Sequence, residues 1–292
     1  MKVAIYARQV TPAHHPFVEQ LFAELEKFQC KVYVYQPFYN MVKHLLEGRK
    51  DLVLFNSGSE IRGEADFLFS IGGDGTILDT LTLVQNSGIP VLGINIGRLG
   101  FLSSISTEQT ASAIECLSKG NYSIDKRSLL RLESNRSLFG EVNYALNELT
   151  IHKKDSSSMM IINTFLNGEY LNSYWEDGLI IATPTGSTGY SLSCGGPIIV
   201  PYSDNFVITP IAPHNLNVRP IVVSDKNVVS LEVEGRSQYF LASLDSRSVT
   251  IDSSISLAIR KEDFSMNLVR LDQDNFLSTL RKKLNWGLDS RN

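Results

Sequence analysis

The sequence predicts a two-domain protein of the α/β plus β class. In the first 125 residues, short apolar runs alternate with amphipathic stretches of helical period. After residue 125 this helical signal fades, and short β-branched segments separated by turn residues replace it. We therefore expect an α/β domain over residues 1–125 and a β-rich domain over residues 126–267. Residues 268–292 are amphipathic and predict a C-terminal helix that packs back on the first domain.

The elements of the first domain follow each other as strand and helix in turn. The predicted strands are KVAIYA (2–7), KVYVYQ (31–36), ADFLFSI (65–71) and VLGINI (91–96). The predicted helices are PFVEQLFAELEKF (16–28), YNMVKHLLEG (39–48), TILDTLTLVQNSG (76–88) and TEQTASAIECLSKG (107–120). This order indicates parallel strands joined by crossover helices. In the second domain, segments such as GLIIATP and NFVITPIAP indicate antiparallel strands in a sandwich or layered arrangement.

Composition restricts the class of protein and of partner. With 43% hydrophobic and 20% charged residues, the chain is typical of a soluble globular protein. Its net charge of -4 argues against bulk attraction to nucleic acid or to an acidic membrane surface. The sequence has neither the apolar run of a membrane span nor a signal-peptide pattern at its start, so we expect a cytoplasmic location. Its three cysteines are too few and too scattered for a disulfide framework or a zinc site.

A glycine turn follows the strand that ends near residue 71. Gly72, Gly73 and Gly75 lie where a parallel strand ends and a helix begins, and backbone N–H groups there can approach phosphate oxygens closely. Leu78 occupies the position of the third glycine of a dinucleotide fingerprint, and the chain has no P-loop motif. Asp74 could accept the proton of an attacking hydroxyl, hold a magnesium ion, or simply cap the turn.

A second glycine-rich stretch, EDGLIIATPTGSTGYSLSCGGPI, covers residues 176–198. Its hydroxyl groups and exposed backbone suit hydrogen bonds to amides, riboses and phosphates, and Tyr190 offers a ring for stacking. The alternative is an ordinary loop rich in serine, threonine and glycine. The presence of a Gly-Gly-Asp-Gly turn in the same chain favours a binding loop.

Together these segments resemble the NAD kinases, which phosphorylate the adenosine 2′-hydroxyl of NAD. The resemblance is carried by five motifs: GGDGT (72–76), NIGRLGFL (95–102), NELTI (147–151), DGLIIATPTGSTGYSLSCGGPI (177–198) and PIAPHNLNVRPIVV (210–223). It implies a Rossmann-like N-terminal domain, a β-rich, sandwich-like C-terminal domain and a nucleotide site between them. It also implies ATP as the phosphoryl donor, a divalent metal ion, namely Mg²⁺, and a homodimer or homotetramer without nucleic-acid or membrane partners.

The resemblance also implies roles for individual residues. Asp74 matches the proton acceptor, with Gly75 beside it at the substrate. Asn147 and Glu148 match the pair that binds the ribose and adenine region, although the residues alone would indicate only a polar step between strands. Asp177 matches an acid that recognises the nicotinamide end, and in family tetramers this acid can come from a neighbouring subunit.

The remaining predicted contacts lie in three other motifs and near the end of the β-rich domain. Phe101 resembles an aromatic of the adenine pocket, although a buried Phe after a turn is an equal alternative. The other predicted binding residues are Thr185, Thr188, Gly189, Tyr190, Ser191, Leu192, Ser193, Ala212 and Asp245.

Three positions depart from the family pattern. Trp175 stands where many members have a basic residue, which removes a charge contact to the dinucleotide. Gly189 replaces a more common alanine, and Ser246 follows Asp245 where glycine is frequent. Two other functions stay open: a diacylglycerol-type lipid kinase, which would explain the GGDGT turn alone, and a non-catalytic NADP-binding sensor.

Overall fold

The computed structural model confirms the predicted fold class. It describes residues 1–49, 51–97, 100–103, 105–154, 159–271 and 275–285. The chain divides into two compact units: unit 1 comprises Met1–Lys126 and Met266–Asn292, and unit 2 comprises Arg127–Ser265.

Unit 1 is built on a parallel sheet. Its strands are β1 (Lys2–Ala7), β2 (Lys31–Tyr35), β3 (Leu52–Phe55), β4 (Phe67–Ile71), β5 (Val91–Asn95) and β6 (Ile105–Ser106). Its helices up to residue 126 are α1 (His15–Lys27), α2 (Gln36–Val42), α3 (Asp74–Val84) and α4 (Thr110–Lys119). The strand order is β3-β2-β1-β4-β5, and β6 pairs with β5.

Helices cover both faces of this sheet, as a parallel sheet requires. Ile5 lies in a buried cluster that also contains Leu21 of α1 and Ile114 of α4. Its neighbour Tyr6 faces the other way, because side chains alternate along a strand. The Tyr6 hydroxyl donates a hydrogen bond to Asp79 of α3, so α3 covers that second face.

The strand order reverses direction between β1 and β4. After β1 the chain adds β2 and β3 on one side, and β4 and β5 extend the sheet on the other side. Ala7 and Ile71 are register partners at the carboxyl ends of β1 and β4. In open α/β sheets, ligands bind in the crevice at such a switch point. The Gly72–Gly73 turn follows β4 at this place.

In unit 1, the prediction misplaced the start of helix α3 and missed strand β3. The helix predicted from residue 76 begins at Asp74, so the Asp74 carboxylate lies in the first turn of α3. Strand β3 was missed because its four residues form only a short run, and Val53 and Leu54 are partly exposed at the edge of the sheet.

Unit 2 is a sandwich of two antiparallel sheets. Its strands are β7 (Ser123–Ser134), β8 (Tyr144–Ala145), β9 (Glu148–Lys153), β10 (Met160–Leu166), β11 (Glu169–Glu176), β12 (Gly178–Ala182), β13 (Asn205–Ile211), β14 (Ile221–Ser224), β15 (Val229–Gly235), β16 (Phe240–Leu244), β17 (Arg247–Ile251) and β18 (Ser256–Arg270). One sheet has the order β14-β13-β12-β9-β16-β17, and the other contains β11-β10-β15-β18 with β7 and β8. Strands β7 and β18 each cross the limit between the units.

The two sheets of unit 2 share one apolar core. Ile181 of β12 and Phe206 of β13 belong to the same buried cluster as Ile162 of β10 and Val233 of β15. The opposite face of the first sheet is covered by the loop that follows β12, where Ile199 packs on a smaller cluster. This loop contains a single helical turn, α5 (Tyr190–Ser193).

The C-terminal segment returns to unit 1. Leu268 of β18 pairs with Val91 of β5 in a parallel register. Helix α6 (Phe276–Leu284) follows, and the Asn275 side chain caps it by accepting a hydrogen bond from the Ser278 N–H. Residues 286–292 of the predicted C-terminal helix lie outside the described residues.

Two expectations from composition can be compared with the structure. Cys30, Cys116 and Cys194 are free thiols of intermediate burial. Among the described residues, no helix combines the length and the apolar character needed to cross a membrane.

Candidate functional site

The Asp74 carboxylate is held by backbone N–H groups of a second loop. The Phe101 N–H donates to Oδ2 at 2.8 Å, and the N–H groups of Leu102 and Ser103 donate to Oδ1 at 3.0 Å each. The Ser103 hydroxyl also donates to the Gly72 carbonyl oxygen, at 3.0 Å. The glycine turn and the loop at residues 100–103 therefore form one hydrogen-bonded assembly around Asp74.

Glycine is required where this loop meets Asp74. A Cβ atom on Gly100 would lie 1.8 Å from Asp74 Oδ1, far inside contact distance. Gly72 has a φ of +152° and leaves room for the Thr76 side chain, whose Oγ1 would lie 2.2 Å from an added Cβ. By contrast, Gly75 has open space around it.

The C-terminal helix contributes side chains to the same place. Lys283 of α6 lies with its Nζ 3.7 Å from Asp74 Oδ2 and 5.1 Å from the centre of the Phe101 ring. Phe276, also on α6, has its ring centre 6.2 Å from that of Phe101. Phe101 is consequently only 8% exposed, and its adenine role stays a prediction. Arg98 and Leu99 of the NIGRLGFL motif lie outside the described residues.

A second acidic residue of α3 is also paired. Asp79 accepts hydrogen bonds from the Arg8 guanidinium, which includes a 2.6 Å contact from Nε, and from the Tyr6 hydroxyl at 3.2 Å. Burial and the neighbouring Asp79 raise the pKa of Tyr6, so its hydroxyl keeps its proton. Arg8 follows β1 directly and so lies at the crevice end of the sheet.

In unit 2, a similar arrangement surrounds Asp245. Its Oδ2 accepts a hydrogen bond from the Leu146 N–H at 2.8 Å, and its Oδ1 accepts from the N–H groups of Asn147 and Glu148 at 2.8 and 3.1 Å. Burial raises the pKa of Asp245, while these N–H groups and Arg247 oppose the rise. Asp245 has a φ of +51°, a conformation that Asp tolerates better than most residues. Its carboxylate thus positions the Asn147–Glu148 backbone.

The side chains of Asn147 and Glu148 have buried oxygens without partners. Among the described residues, neither Asn147 Oδ1 nor Glu148 Oε2 has a hydrogen-bond partner. Burial, assisted by the nearby Asp245, raises the pKa of Glu148 to about 8. Buried polar atoms normally find partners, so these two oxygens indicate a site for a polar ligand.

The loop after β12 lies directly against this pair. A Cβ on Gly186 would lie 2.1 Å from the Asn147 carbonyl oxygen, so only glycine permits the contact. A Cβ on Gly189 would lie 3.3 Å from Glu148 Oε2 and 3.2 Å from the Gly186 carbonyl oxygen. Alanine at 189 would therefore fit only if this loop shifted slightly.

Three predicted loop residues use their hydroxyls inside unit 2. The buried Arg127 donates to Thr185 Oγ1 at 3.1 Å. Ser191, on α5, is within 2.8 Å of Thr209 Oγ1 of β13. Thr188 donates to the Thr185 carbonyl oxygen at 3.2 Å. Of the predicted residues in this loop, five keep partial or full exposure: Thr188, Gly189, Tyr190, Leu192 and Ser193.

Tyr190 forms an aromatic pair with a histidine that sequence reasoning missed. The Tyr190 and His152 rings are stacked at 22° with their centres 5.8 Å apart. The Tyr190 hydroxyl lies 3.3 Å from His152 Nε2. Burial lowers the pKa of His152 although Asp177 opposes this, so the ring is neutral at pH 7. The two rings leave Tyr190 40% exposed for contact with a planar group.

Asp177 and Ala212 are neighbours at the other end of β12. The Asp177 N–H donates to the Ile211 carbonyl oxygen at 3.0 Å, and Lys153 Nζ lies 2.5 Å from Asp177 Oδ1. Ala212 is exposed and has a φ of +46°, which is strained for a residue with a Cβ. Lys153 thus places a positive charge at Asp177, two residues after Trp175 in the sequence.

Glu176 is a buried acid that sequence reasoning did not identify. It is 0% exposed, and neither carboxylate oxygen has a well-oriented hydrogen-bond partner among the described residues. Burial raises its pKa to about 9, an effect that the Ile211 backbone opposes and Asp177 reinforces. At neutral pH this side chain is therefore protonated.

The described residues contain no group of three or more His, Cys, Asp or Glu side chains able to hold a metal ion. Asp74 and Asp79, the acids of α3, are engaged by backbone N–H groups and by Arg8. Mg²⁺ commonly binds through one or two carboxylates together with substrate phosphates. Asp74 and Asp79 are carboxylates of the kind that such a magnesium site uses.

Comparison with known families covers both units. The model of the ATP-NAD kinase N-terminal domain matches residues 3–122, and that of the ATP-NAD kinase C-terminal domain matches residues 146–271. Curated proteins named NAD kinase from Cytophaga hutchinsonii and Bacteroides fragilis are each 45% identical to the chain, over 293 and 295 residues. Both alignments cover 100% of both chains.

Two solved structures are similar over nearly the whole chain. An NAD kinase from Archaeoglobus fulgidus in complex with ATP has a TM-score of 0.74 and 26% identity, covering 98% of this chain and 99% of that one. Yeast NADH kinase complexed with NADH has a TM-score of 0.88 at 22% identity, covering 99% of this chain and 88% of that one. The second likeness concerns the fold alone.

The substitution Gly100→Ala should destabilise the loop around Asp74. The added Cβ would lie 1.8 Å from Asp74 Oδ1, so the loop or the carboxylate must move. We expect the free energy of unfolding to fall by about 1–3 kcal/mol in chemical denaturation. The matched control is Gly75→Ala, in open space on α3, which should be neutral or stabilising. Equal stability of the two variants would contradict this account of the loop.

The substitution Glu176→Gln should weaken the pH dependence of stability. Burial raises the folded-state pKa from 4.5 to about 9, so the folded chain retains a proton that the unfolded chain releases. Stability should therefore decrease as the pH rises between these two values. The Tm of the variant, measured from about pH 5 to about pH 9, should fall less than that of the wild type. The control Glu169→Gln, an exposed change on the same strand, should leave the dependence of Tm on pH as in the wild type. If Glu176→Gln also showed the wild-type dependence, the raised pKa of Glu176 would be refuted.

Proposed function

The chain belongs to the ATP-NAD kinase family and is an NAD kinase, and we propose that Asp74 is the base of its reaction. The transfer moves the γ-phosphoryl group of ATP to the adenosine 2′-hydroxyl of NAD and yields NADP. The observation that carries the assignment of Asp74 is its position in the first turn of α3, at the switch point of the parallel sheet.

The hydrogen bonds of Asp74 identify the oxygen that acts. A carboxylate offers about four lone-pair sites. Oδ1 accepts two backbone N–H groups and Oδ2 accepts one, so a site on Oδ2 is left for a substrate hydroxyl. Asp74 Oδ2 would accept the proton of the 2′-hydroxyl as its oxygen attacks the γ-phosphorus, and the bond to the bridging oxygen of ADP would break.

The glycine turn supplies the environment for the donor phosphates. The N–H groups at the start of α3 and the positive end of its dipole favour an anion there. The Archaeoglobus fulgidus relative was solved with ATP, which supports ATP as the donor for this chain. Bound Mg²⁺, carried in with ATP, would neutralise phosphate charge.

Residues of unit 2 would bind the dinucleotide. The unpartnered oxygens Asn147 Oδ1 and Glu148 Oε2 support a ribose contact. A ribose hydroxyl can satisfy such an oxygen because it both donates and accepts hydrogen bonds. The exposed ring of Tyr190, backed by His152, would stack on a planar group of NAD. Asp177 and the small Ala212 would contact the nicotinamide end, with Thr188, Gly189, Leu192 and Ser193 along the loop. Thr185, Ser191 and Asp245 would act by holding these segments in place.

Two further properties rest on the family resemblance. We expect a homodimer or homotetramer, in which Asp177 could serve a neighbouring subunit. We also expect the reaction to take place in the cytoplasm, without a nucleic-acid or membrane partner.

The decisive experiment measures NADP formed from ATP and NAD by the purified chain. We expect NADP with ATP and Mg²⁺, and no turnover when Mg²⁺ is removed with a chelator, because the donor phosphates then lack their counter-ion. Parallel reactions replace ATP by polyphosphate, or NAD by NADH or diacylglycerol. Labelled phosphate appearing only in the lipid would support the lipid kinase, and NADP binding without turnover would support the sensor.

The substitution Asp74→Asn tests the role of the base. Asparagine keeps the size of the side chain but does not take up the proton, so kcat should fall by about 10²–10⁴-fold. The KM for NAD should change much less. Asp263→Asn, whose side chain is 84% exposed in unit 2, serves as the control. Wild-type turnover in the Asp74 variant would rule out general-base catalysis by this residue.

A further inference from the structure

Helix α6 brings one lysine to the oxygen of Asp74 that is assigned to the substrate. Lys283 Nζ lies 3.7 Å from Asp74 Oδ2, the oxygen with the fewer backbone N–H contacts. The side chains of Lys283 and Asp74 are 35% and 28% exposed, so solvent reaches the pair.

The helical period explains why Lys283 is placed there. Thr279 and Leu280 are the buried residues of α6, and Lys283 follows them by four and three positions on the same face. Phe276, one turn earlier on that face, packs near Phe101. The ammonium of Lys283 also lies 5.1 Å from the centre of the Phe101 ring. The neighbouring Lys282 is exposed and forms no ion pair with any described residue.

This contact contributes little to stability. A partly exposed ion pair is screened by solvent, and holding a lysine side chain still costs conformational entropy. The carboxylate is already held by the backbone N–H groups of residues 101–103. Lys283 is therefore not required to hold the Asp74 carboxylate in place. Its position beside Asp74 Oδ2 suits a role in the phosphoryl transfer proposed there.

We propose that Lys283 is a catalytic residue whose ammonium binds the γ-phosphoryl group of ATP during transfer. This inference rests on the proposed function of Asp74. The triphosphate brings several negative charges close to a carboxylate, and a cation between them offsets the repulsion. Lysine suits this task because its charge is compact and its stem is flexible. The ammonium can move from Asp74 Oδ2 to a phosphate oxygen and leave Oδ2 for the ribose hydroxyl.

The proton transfer of the reaction does not involve Lys283. The 2′-oxygen forms the new bond to the γ-phosphorus, the bond from that phosphorus to the bridging oxygen of ADP breaks, and the hydroxyl proton goes to Asp74. Negative charge collects on the equatorial oxygens of the moving phosphoryl group. A positive charge already in place stabilises that transition state more than the ground state.

The test compares Lys283→Met, Lys283→Arg and the control Lys282→Met in the full chain. Removing a preorganised donor at a transition state lowers kcat by about 10²-fold, and we expect that loss for Lys283→Met. The KM for NAD should stay within about twofold, since the substitution leaves unit 2 untouched. Lys283→Arg should recover at least about a tenth of the wild-type kcat because it keeps the charge. Lys282→Met should match the wild type.

Nucleotide binding provides a readout that does not depend on turnover. Calorimetry with ATP and with ADP compares ligands that differ in the γ-phosphate. Lys283→Met should bind ATP about tenfold more weakly and ADP with unchanged affinity. An unchanged ratio of ATP to ADP affinity would overturn the role of Lys283, as would wild-type kcat in Lys283→Met or loss of kcat without recovery in Lys283→Arg. If the wild type made no NADP, the proposed function would fail, and the binding ratio would still decide the question of Lys283.

Discussion

A carboxylate surrounded by backbone N–H groups is the interaction on which both candidate sites depend. The Asp74 carboxylate accepts hydrogen bonds from the N–H groups of residues 101–103, and the Asp245 carboxylate accepts them from residues 146–148. Hydrogen bonds to a charged group contribute roughly 1.5–3 kcal/mol each, about twice the value between neutral groups. In each unit, one acid therefore fixes a short segment that lies largely outside the helices and strands. The proposed base and the proposed ribose-binding pair lie on these segments or beside them.

Close backbone contact is the condition for this arrangement. Gly100 lets its loop reach Asp74, and Gly186 lets the loop after β12 rest on the Asn147 carbonyl oxygen. In the same region, Asn147 Oδ1 and Glu148 Oε2 are buried and have no hydrogen-bond partner in the described part of the chain. Such atoms reduce stability, and the apolar core between the two sheets of unit 2 offsets the loss.

The sequence was sufficient for the fold class because hydrophobic periodicity reports which faces are buried. It placed Asp74 at the end of a parallel strand but not in the first turn of α3, since glycines hide the start of a helix. Lys283 and His152 were not predicted as site residues because their relevance arises from tertiary contacts with Asp74 and Tyr190. The binding roles of the loop residues remain predictions. The sequence alone does not distinguish a Ser or Thr hydroxyl that faces a ligand from one that faces the protein interior.

The raised pKa of Glu148 has a consequence for recognition. With a value of about 8, this side chain carries a proton at neutral pH, so it can donate a hydrogen bond as well as accept one. The adjacent Asn147 amide offers the same combination through its NH₂ and carbonyl groups. Two neighbouring hydroxyls, each both donor and acceptor, would use both the donors and the acceptors of such a pair, whereas a phosphate dianion would use only the donors. Under the proposed function, this pair would therefore favour a free sugar diol over a phosphorylated one through the match of donors and acceptors.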